Sequence, residues 1–130
     1  MSAALCLSAL GGAVLAALPG PAFTLSWTHS VEKTEWREEW RIDGGRLVLT
    51  EARVKGSGAG MEPPEGAWLA DGWWVWVPSV PPQERVILAA SSFTPDHKLC
   101  AGGECRPLHG WIGNRIGGPV PSPLELKPCR

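Results

Sequence analysis

Residues 27–40 read Trp-Thr-His-Ser-Val-Glu-Lys-Thr-Glu-Trp-Arg-Glu-Glu-Trp, and the rest of the chain is organised around them. Apolar residues alternate along both halves of this stretch, a period of two that predicts two β-strands folded on each other. With residues 32–35 as the loop, His29 lies opposite Glu38, and side chains opposed in this way have Cβ atoms about 4.5–5.5 Å apart. The stretch therefore predicts a polar pair inside an apolar stripe.

Gly44-Gly45 predicts a second hairpin directly after the first, because both central residues of a type I′ turn need a positive φ. The register of that hairpin places Glu38 opposite Glu51, with Arg53 farther along the same face. Three neighbouring strands would then bring His29, Glu38 and Glu51 onto one interior row. A one-residue slip or a β-bulge would move these side chains to the opposite face.

The composition suits a small β-rich domain. The chain has 130 residues, of which 44 % are hydrophobic and 19 % charged, so we expect one domain with one core. The 12 basic and 13 acidic residues give a net charge of −1 and form no basic run, which argues against nucleic-acid binding. We expect an all-β fold, a small single-domain barrel or sandwich of about eight short antiparallel strands joined by hairpins.

Residues 1–22 allow two interpretations. A signal segment would end in the small residues at positions 20–22, although no basic residue follows Met1. An N-terminal hairpin would pair residues 4–10 with 13–18 around Gly11-Gly12. The apolar run is too short for a transmembrane helix of about 20 residues.

The Gly- and Pro-rich residues 55–66 are predicted to form a loop, because this composition is incompatible with a helix or a central strand. The backbone N–H groups of residues 56–60 can hold an anion, with Ser57, Gly58 and Gly60 as the candidate residues. The segment lacks the lysine and the following helix of a phosphate-binding loop, so a flexible turn is the alternative.

Asp71-Gly72 predicts a further hairpin, and its second strand reads Trp-Trp-Val-Trp-Val at positions 73–77. Trp73 and Val75 belong to one face, whereas Trp74 and Trp76 belong to the other. Both faces are apolar, so each is either covered by the protein or contacts a ligand, a membrane or a partner.

The four cysteines favour disulfides. Cys100 and Cys105 face each other across a predicted hairpin loop, whereas their spacing, without a second Cys or His pair, is not a zinc pattern. Cys6 and Cys129 can bridge the two ends of the chain if both are present in the mature protein. Such pairing indicates an oxidising compartment. We expect the β domain to span residues 1–108 and residues 109–130 to form a Gly/Pro-rich tail.

Three segments together resemble a known pattern: Trp-Thr-His-Ser-Val-Glu-Lys-Thr at 27–34, Glu38 two residues before an aromatic, and Gly-Ser-Gly-Ala-Gly-Met-Glu-Pro-Pro at 56–64. They resemble a bacterial family catalogued as domain of unknown function 1850, over about residues 5–108. The resemblance implies a small β-rich protein, exported or membrane-tethered, that is encoded beside TRAP-type solute transporters with fused permease subunits. It implies no activity, and it favours an N-terminal hairpin over a signal segment.

We interpret the chain as a non-catalytic accessory or ligand-binding protein associated with a TRAP-type transporter, with a small anion as ligand and no cofactor. The candidate ligand-binding residues are His29, Ser30, Glu38, Glu51, Arg53, Ser57, Gly58 and Gly60. Cysteine pairing and the resemblance favour the cell envelope or periplasm, while the lack of a clear export signal leaves a cytoplasmic location open.

Two alternatives stay open for the same residues. In a small hydrolase-like enzyme, His29 and Glu38 would act as the general base, with Ser30 or water as the nucleophile. Strand alternation directs Ser30 away from His29, which counts against a Ser–His dyad. In a purely structural β domain, His29 and Glu38 would form a satisfied buried hydrogen-bonded pair.

Overall fold

A computed structural model of the chain describes residues 4–28, 34–55, 64–88, 97–116 and 123–129. These residues form eleven strands and one helix. The elements are β1 (Ala4–Ala9), β2 (Val14–Pro19), β3 (Ala22–Thr28), β4 (Glu35–Asp43), β5 (Arg46–Lys55), β6 (Trp68–Ala70), β7 (Trp73–Trp76), β8 (Val86–Leu88), β9 (Lys98–Ala101), β10 (Glu104–Pro107), α1 (Leu108–Ile116) and β11 (Leu124–Pro128).

The strands form two antiparallel sheets. The smaller sheet has the order β2-β1-β11-β8, and the larger has the order β10-β9-β3-β4-β5-β7-β6. One hydrophobic cluster takes side chains from both sheets and from α1, so the sheets pack face to face around a shared core. The predicted all-β fold is confirmed, and the two open sheets make it a sandwich.

Three hairpins of the larger sheet lie at predicted turns, among the residues that the structure describes. Gly44 and Gly45 have φ of 60° and 77° between β4 and β5, as a type I′ turn requires. Asp71-Gly72 turns the chain from β6 to β7 with φ of 51° and 85°. Gly102-Gly103 joins β9 to β10, and the disulfide Cys100–Cys105 links directly opposed residues of that hairpin.

The pairing of β3 with β4 differs from the prediction, which placed His29 opposite Glu38. Thr28 pairs with Glu35, so the connection covers residues 29–34, and Leu25 lies opposite Glu38. Trp27 pairs with Trp36, and their rings stack with centroids 6.2 Å apart, a contact that fits this register. Glu38 still lies on the face predicted for it because the register shift is an even number of residues.

A β-bulge interrupts the pairing of β4 with β5. From the turn as far as Trp40 and Leu49 the register is the predicted one, but Thr50 is an extra residue on β5. Its hydroxyl donates a hydrogen bond to the carbonyl oxygen of Glu39 at 3.0 Å. Beyond the bulge, Glu38 lies opposite Ala52 instead of Glu51.

The two ends of the chain meet in the smaller sheet. Residues 4–19 form the β1–β2 hairpin, and β11 lies between β1 and β8. The disulfide Cys6–Cys129 joins β1 to the residue that follows β11. The predicted tail at 109–130 is therefore wrong in this part, because Leu124 and Leu126 are fully buried in the core.

The helix α1 closes one side of the core with Leu108 and Ile112, which are fully buried. The indole of Trp111 donates a hydrogen bond to the carbonyl oxygen of Leu99 at 3.0 Å, which fixes α1 against β9. Among the described residues, no helix has the length and apolar character needed to cross a bilayer.

Candidate functional site

We call the face of the larger sheet that is turned toward the smaller sheet its inner face. The burial of the side chains on this inner face changes along its strands. Phe23 and Trp40 form a directly opposed and buried pair on β3 and β4, with stacked rings 6.1 Å apart. Toward the other end of the same strands, Trp27 and Trp36 form an opposed pair that is only half-buried. The sandwich therefore closes over one end of this face and leaves the other end partly accessible.

The accessible end carries a group of tryptophans, which we call the tryptophan site: Trp27 on β3, Trp36 on β4 and Trp76 on β7, together with Glu38. The rings of Trp27 and Trp36 are nearly parallel, whereas the ring of Trp76 is perpendicular to that of Trp36, with centroids 6.3 Å apart. His97 packs on Trp27 with ring centroids 5.1 Å apart. These rings form a half-buried corner of the kind that binds ligands through aromatic faces.

Glu38 lies at the centre of this face. Leu25 is opposite it on β3 and Ala52 on β5, and both neighbours are buried. The indole of Trp40 donates a hydrogen bond to Glu38 Oε1 at 3.1 Å. Burial raises the pKa of the Glu38 carboxyl above its ordinary value, and the Trp40 hydrogen bond opposes this shift without cancelling it.

Charge compensation for Glu38 is missing from the described part of the chain. No lysine, arginine or histidine among the described residues forms a salt bridge with its carboxylate. A carboxyl group that is partly withdrawn from water, with a raised pKa and no positive partner among the described residues, is a candidate functional group.

Glu51 and Arg53 do not join Glu38, contrary to the prediction. The bulge at Thr50 turns both side chains to the outer face of the larger sheet, where they form an ion pair with each other. Arg53 also lies over the ring of Trp73, 6.0 Å from its centroid. The predicted interior row therefore keeps Glu38 and loses Glu51 and Arg53.

Five of the predicted site residues lie outside the described residues: His29, Ser30, Ser57, Gly58 and Gly60. Their proposed contacts with a ligand stay predictions. Among the residues that are described, no group of three or more His, Cys, Asp or Glu side chains is placed to hold a metal ion.

The pattern of residues 73–77 predicted either burial or contact with a ligand, a membrane or a partner for the tryptophan faces of β7, but it did not bring Trp27 and Trp36 beside Trp76. The signal was present, since the chain has eight tryptophans and no tyrosine. The period of two also assigns Trp27, Trp36 and Trp76 to known faces of their strands. It does not give the cross-strand register, which decides which rings meet.

The described residues also include a buried acid, Glu125 on β11, which is only 2 % exposed and lies on the outer face of the smaller sheet, whereas Glu38 is only partly buried. The Ser8 hydroxyl donates to Glu125 Oε1 at 3.4 Å, Lys127 Nζ lies 3.4 Å from the same oxygen, and Arg85 Nη1 lies 3.1 Å from Oε2. Burial by itself raises the pKa of the Glu125 carboxyl, but Lys127 and Arg85 together outweigh it and hold that pKa below its ordinary value.

Comparison with known proteins identifies the family. Residues 23–108 match the family described as Domain of unknown function (DUF1850), and the chain belongs to that family. The matched segment contains the three tryptophans and Glu38 of the tryptophan site, whereas β1, β2 and β11 lie outside it. No curated protein and no solved structure matches the chain.

Proposed function

We propose that the protein is a non-catalytic module that binds a small ligand at the tryptophan site. The observation that carries the proposal is the position of Glu38, a carboxyl group without a described basic partner beside three half-buried tryptophan rings. Ligand sites combine apolar and aromatic walls with a few polar groups that orient the ligand. Glu38 supplies the polar group, and Trp27, Trp36 and Trp76 supply the walls.

The geometry favours binding over catalysis. In the described residues the tryptophan site offers one carboxyl group and aromatic rings, with His97 packed against Trp27 at its edge. Nucleophilic catalysis needs an activated nucleophile within hydrogen-bond reach of a base. The enzyme alternative depends on His29 and Ser30, which are not among the described residues, so it stays a prediction.

The cellular setting forms the second part of the proposal. The two disulfides are typical of proteins in an oxidising compartment. We assign the protein to the cell envelope, as an accessory of a TRAP-type solute transporter of the kind that the family resemblance implies. Affinity purification from membranes should then recover a permease or solute-receptor subunit with the tagged protein, and not with an unrelated disulfide-bonded protein carrying the same tag.

A screen of small molecules by thermal shift tests the binding function directly. A ligand that binds the folded state at 100 times its Kd raises the free energy of unfolding by about 2.7 kcal/mol, a shift that is easily measured. Trp76→Leu should abolish the shift. Trp73→Leu is the matched control, because Trp73 lies on the same strand but on the outer face.

Two results would contradict the binding proposal. One is a broad screen in which no compound stabilises the protein. The other is a stabilising compound whose effect is the same in the Trp76→Leu variant as in the wild-type protein.

A further inference from the structure

We propose that the tryptophan site selects an organic cation, such as a quaternary ammonium or alkylated amine group. This inference rests on the proposed binding function and names its ligand class.

The ring geometry suits a cation. The faces of aromatic rings carry negative charge density and attract cations, and tryptophan does so most strongly. The Trp27 and Trp36 planes lie within 5° of each other, and the Trp76 plane stands at 87° to that of Trp36. Rings in two perpendicular orientations allow a rounded cation to contact aromatic surface on more than one side.

The charge on this face is complementary to a cation. Glu38 contributes a carboxylate, and the side chains that oppose it across the sheet, Leu25 and Ala52, are apolar. The described arginines and lysines of β4 and β5 all belong to the outer face: Arg37, Arg41, Arg46, Arg53 and Lys55. A small anion would meet the Glu38 carboxylate without any of these five basic side chains to bind it.

On the outer face of the larger sheet, the chain itself supplies the cations that contact a tryptophan ring. Arg37, Arg53 and Lys55 lie 4.9, 6.0 and 5.6 Å from the ring centroid of Trp73. No described arginine or lysine lies over the ring of Trp27, Trp36 or Trp76 in this way, and the imidazole of His97 lies beside the ring of Trp27. The inner face thus provides the rings and the carboxylate, and a ligand would provide the positive group.

Three probes of nearly the same shape separate charge from size. Choline carries a trimethylammonium group, its uncharged carbon analogue carries a tert-butyl group in its place, and pivalate joins the tert-butyl group to a carboxylate. Calorimetric titration of the full chain should show choline binding at least about tenfold more tightly than either of the other two probes.

Two variants locate the effect. Glu38→Gln should weaken choline binding by about tenfold, because it removes the charge and keeps the shape. Glu39→Gln is the matched control and should leave the affinity unchanged, since Glu39 is the next residue on β4, faces outward and accepts a hydrogen bond from Thr24 Oγ1 at 2.7 Å. Both variants should retain the wild-type circular dichroism spectrum, which excludes misfolding as the cause.

The possible results distinguish the two proposals. If the uncharged analogue or pivalate binds as tightly as choline, or if Glu38→Gln leaves choline binding unchanged, the assignment to a cation is wrong. If one of those probes binds and Trp76→Leu abolishes its binding, the site still binds ligands and only the ligand class fails. If none of the three probes binds, the cation assignment also fails, and the thermal-shift screen decides the binding function separately.

Discussion

Glu38 is partly buried and Glu125 is buried in the same sandwich, but their surroundings shift the pKa values of the two carboxyl groups in opposite directions. Glu125 is held by Arg85, Lys127 and Ser8, and its pKa is lowered. Among the described residues, the indole of Trp40 donates a hydrogen bond to Glu38, whose pKa is raised. The comparison teaches that burial alone does not fix the effect of an acid on stability: basic side chains offset the burial of Glu125, whereas no described basic side chain offsets that of Glu38.

The largest expected effect concerns the covalent link beside Glu125. Replacing Cys6 and Cys129 by alanine should lower the free energy of unfolding by about 4–5 kcal/mol, because that disulfide closes a loop between residues 123 apart. The same change at Cys100 and Cys105, which are 5 residues apart, should cost only about 2 kcal/mol. Urea unfolding of the two double variants checks the order, and equal losses would show that loop length does not control their stability.

The next largest effect concerns Glu125, whose charge is compensated by basic side chains. Glu125→Ala should lower the free energy of unfolding at neutral pH by about 1–3 kcal/mol, because the buried Ser8 hydroxyl loses its acceptor and two basic side chains lose their partner. Glu104→Ala is the control: its ion pair with Arg106 is exposed and contributes about 0–1 kcal/mol. A Glu125→Ala variant as stable as Glu104→Ala would remove the contrast between the two acids.

The pH dependence of stability tests the same difference between Glu125 and Glu38. Because the folded-state pKa of Glu125 is lowered, its contribution is present above the ordinary glutamate pKa of about 4.3 and is lost as the pH falls through the lower folded value. The stability difference between the wild-type protein and Glu125→Ala should therefore shrink on acidification below about pH 4. Thermal unfolding between neutral and acidic pH measures it, and a difference that does not change with pH would contradict the role of charge.

The smallest expected effect is an increase in stability when Glu38 is replaced. Because the folded-state pKa of Glu38 is raised, ionisation destabilises the fold at neutral pH, and this cost disappears as the pH falls below the ordinary glutamate pKa of about 4.3. Glu38→Gln should thus raise the Tm at neutral pH by about 2 °C and leave it unchanged at acidic pH. A lower Tm in this variant at neutral pH would mean that Glu38 is compensated after all.

Local signals in the sequence were sufficient for the turns and for the face of Glu38. Gly44-Gly45 and Asp71-Gly72 require positive φ and mark their hairpins directly. Alternation places Glu38 on the same face as the inner-face tryptophans, and a register shift of an even number of residues does not change that face. These features depend on a few consecutive residues, so one sequence is enough to predict them.

Other features depend on contacts that one sequence does not display. Trp27 stacks on Trp36 in the observed register between β3 and β4. The predicted length of the loop between these strands did not give that register. Residues 124–127 alternate as Leu-Glu-Leu-Lys, but the partner strands of β11, which are β1 and β8, lie far away in the chain. The surrounding Pro and Gly residues therefore suggested a tail where the structure has a central strand of the smaller sheet.

The bulge at Thr50 has a genetic consequence. Deleting that single codon would leave the reading frame intact and would remove the bulge, because Glu51 would follow Leu49 directly and still lie opposite Glu39. Regular alternation from Leu49 would then keep Glu51 and Arg53 on the outer face, and Ala52 and Val54, both buried in the native protein, on the inner face. The loss of one small hydroxyl residue would thus straighten β5 without exchanging its faces.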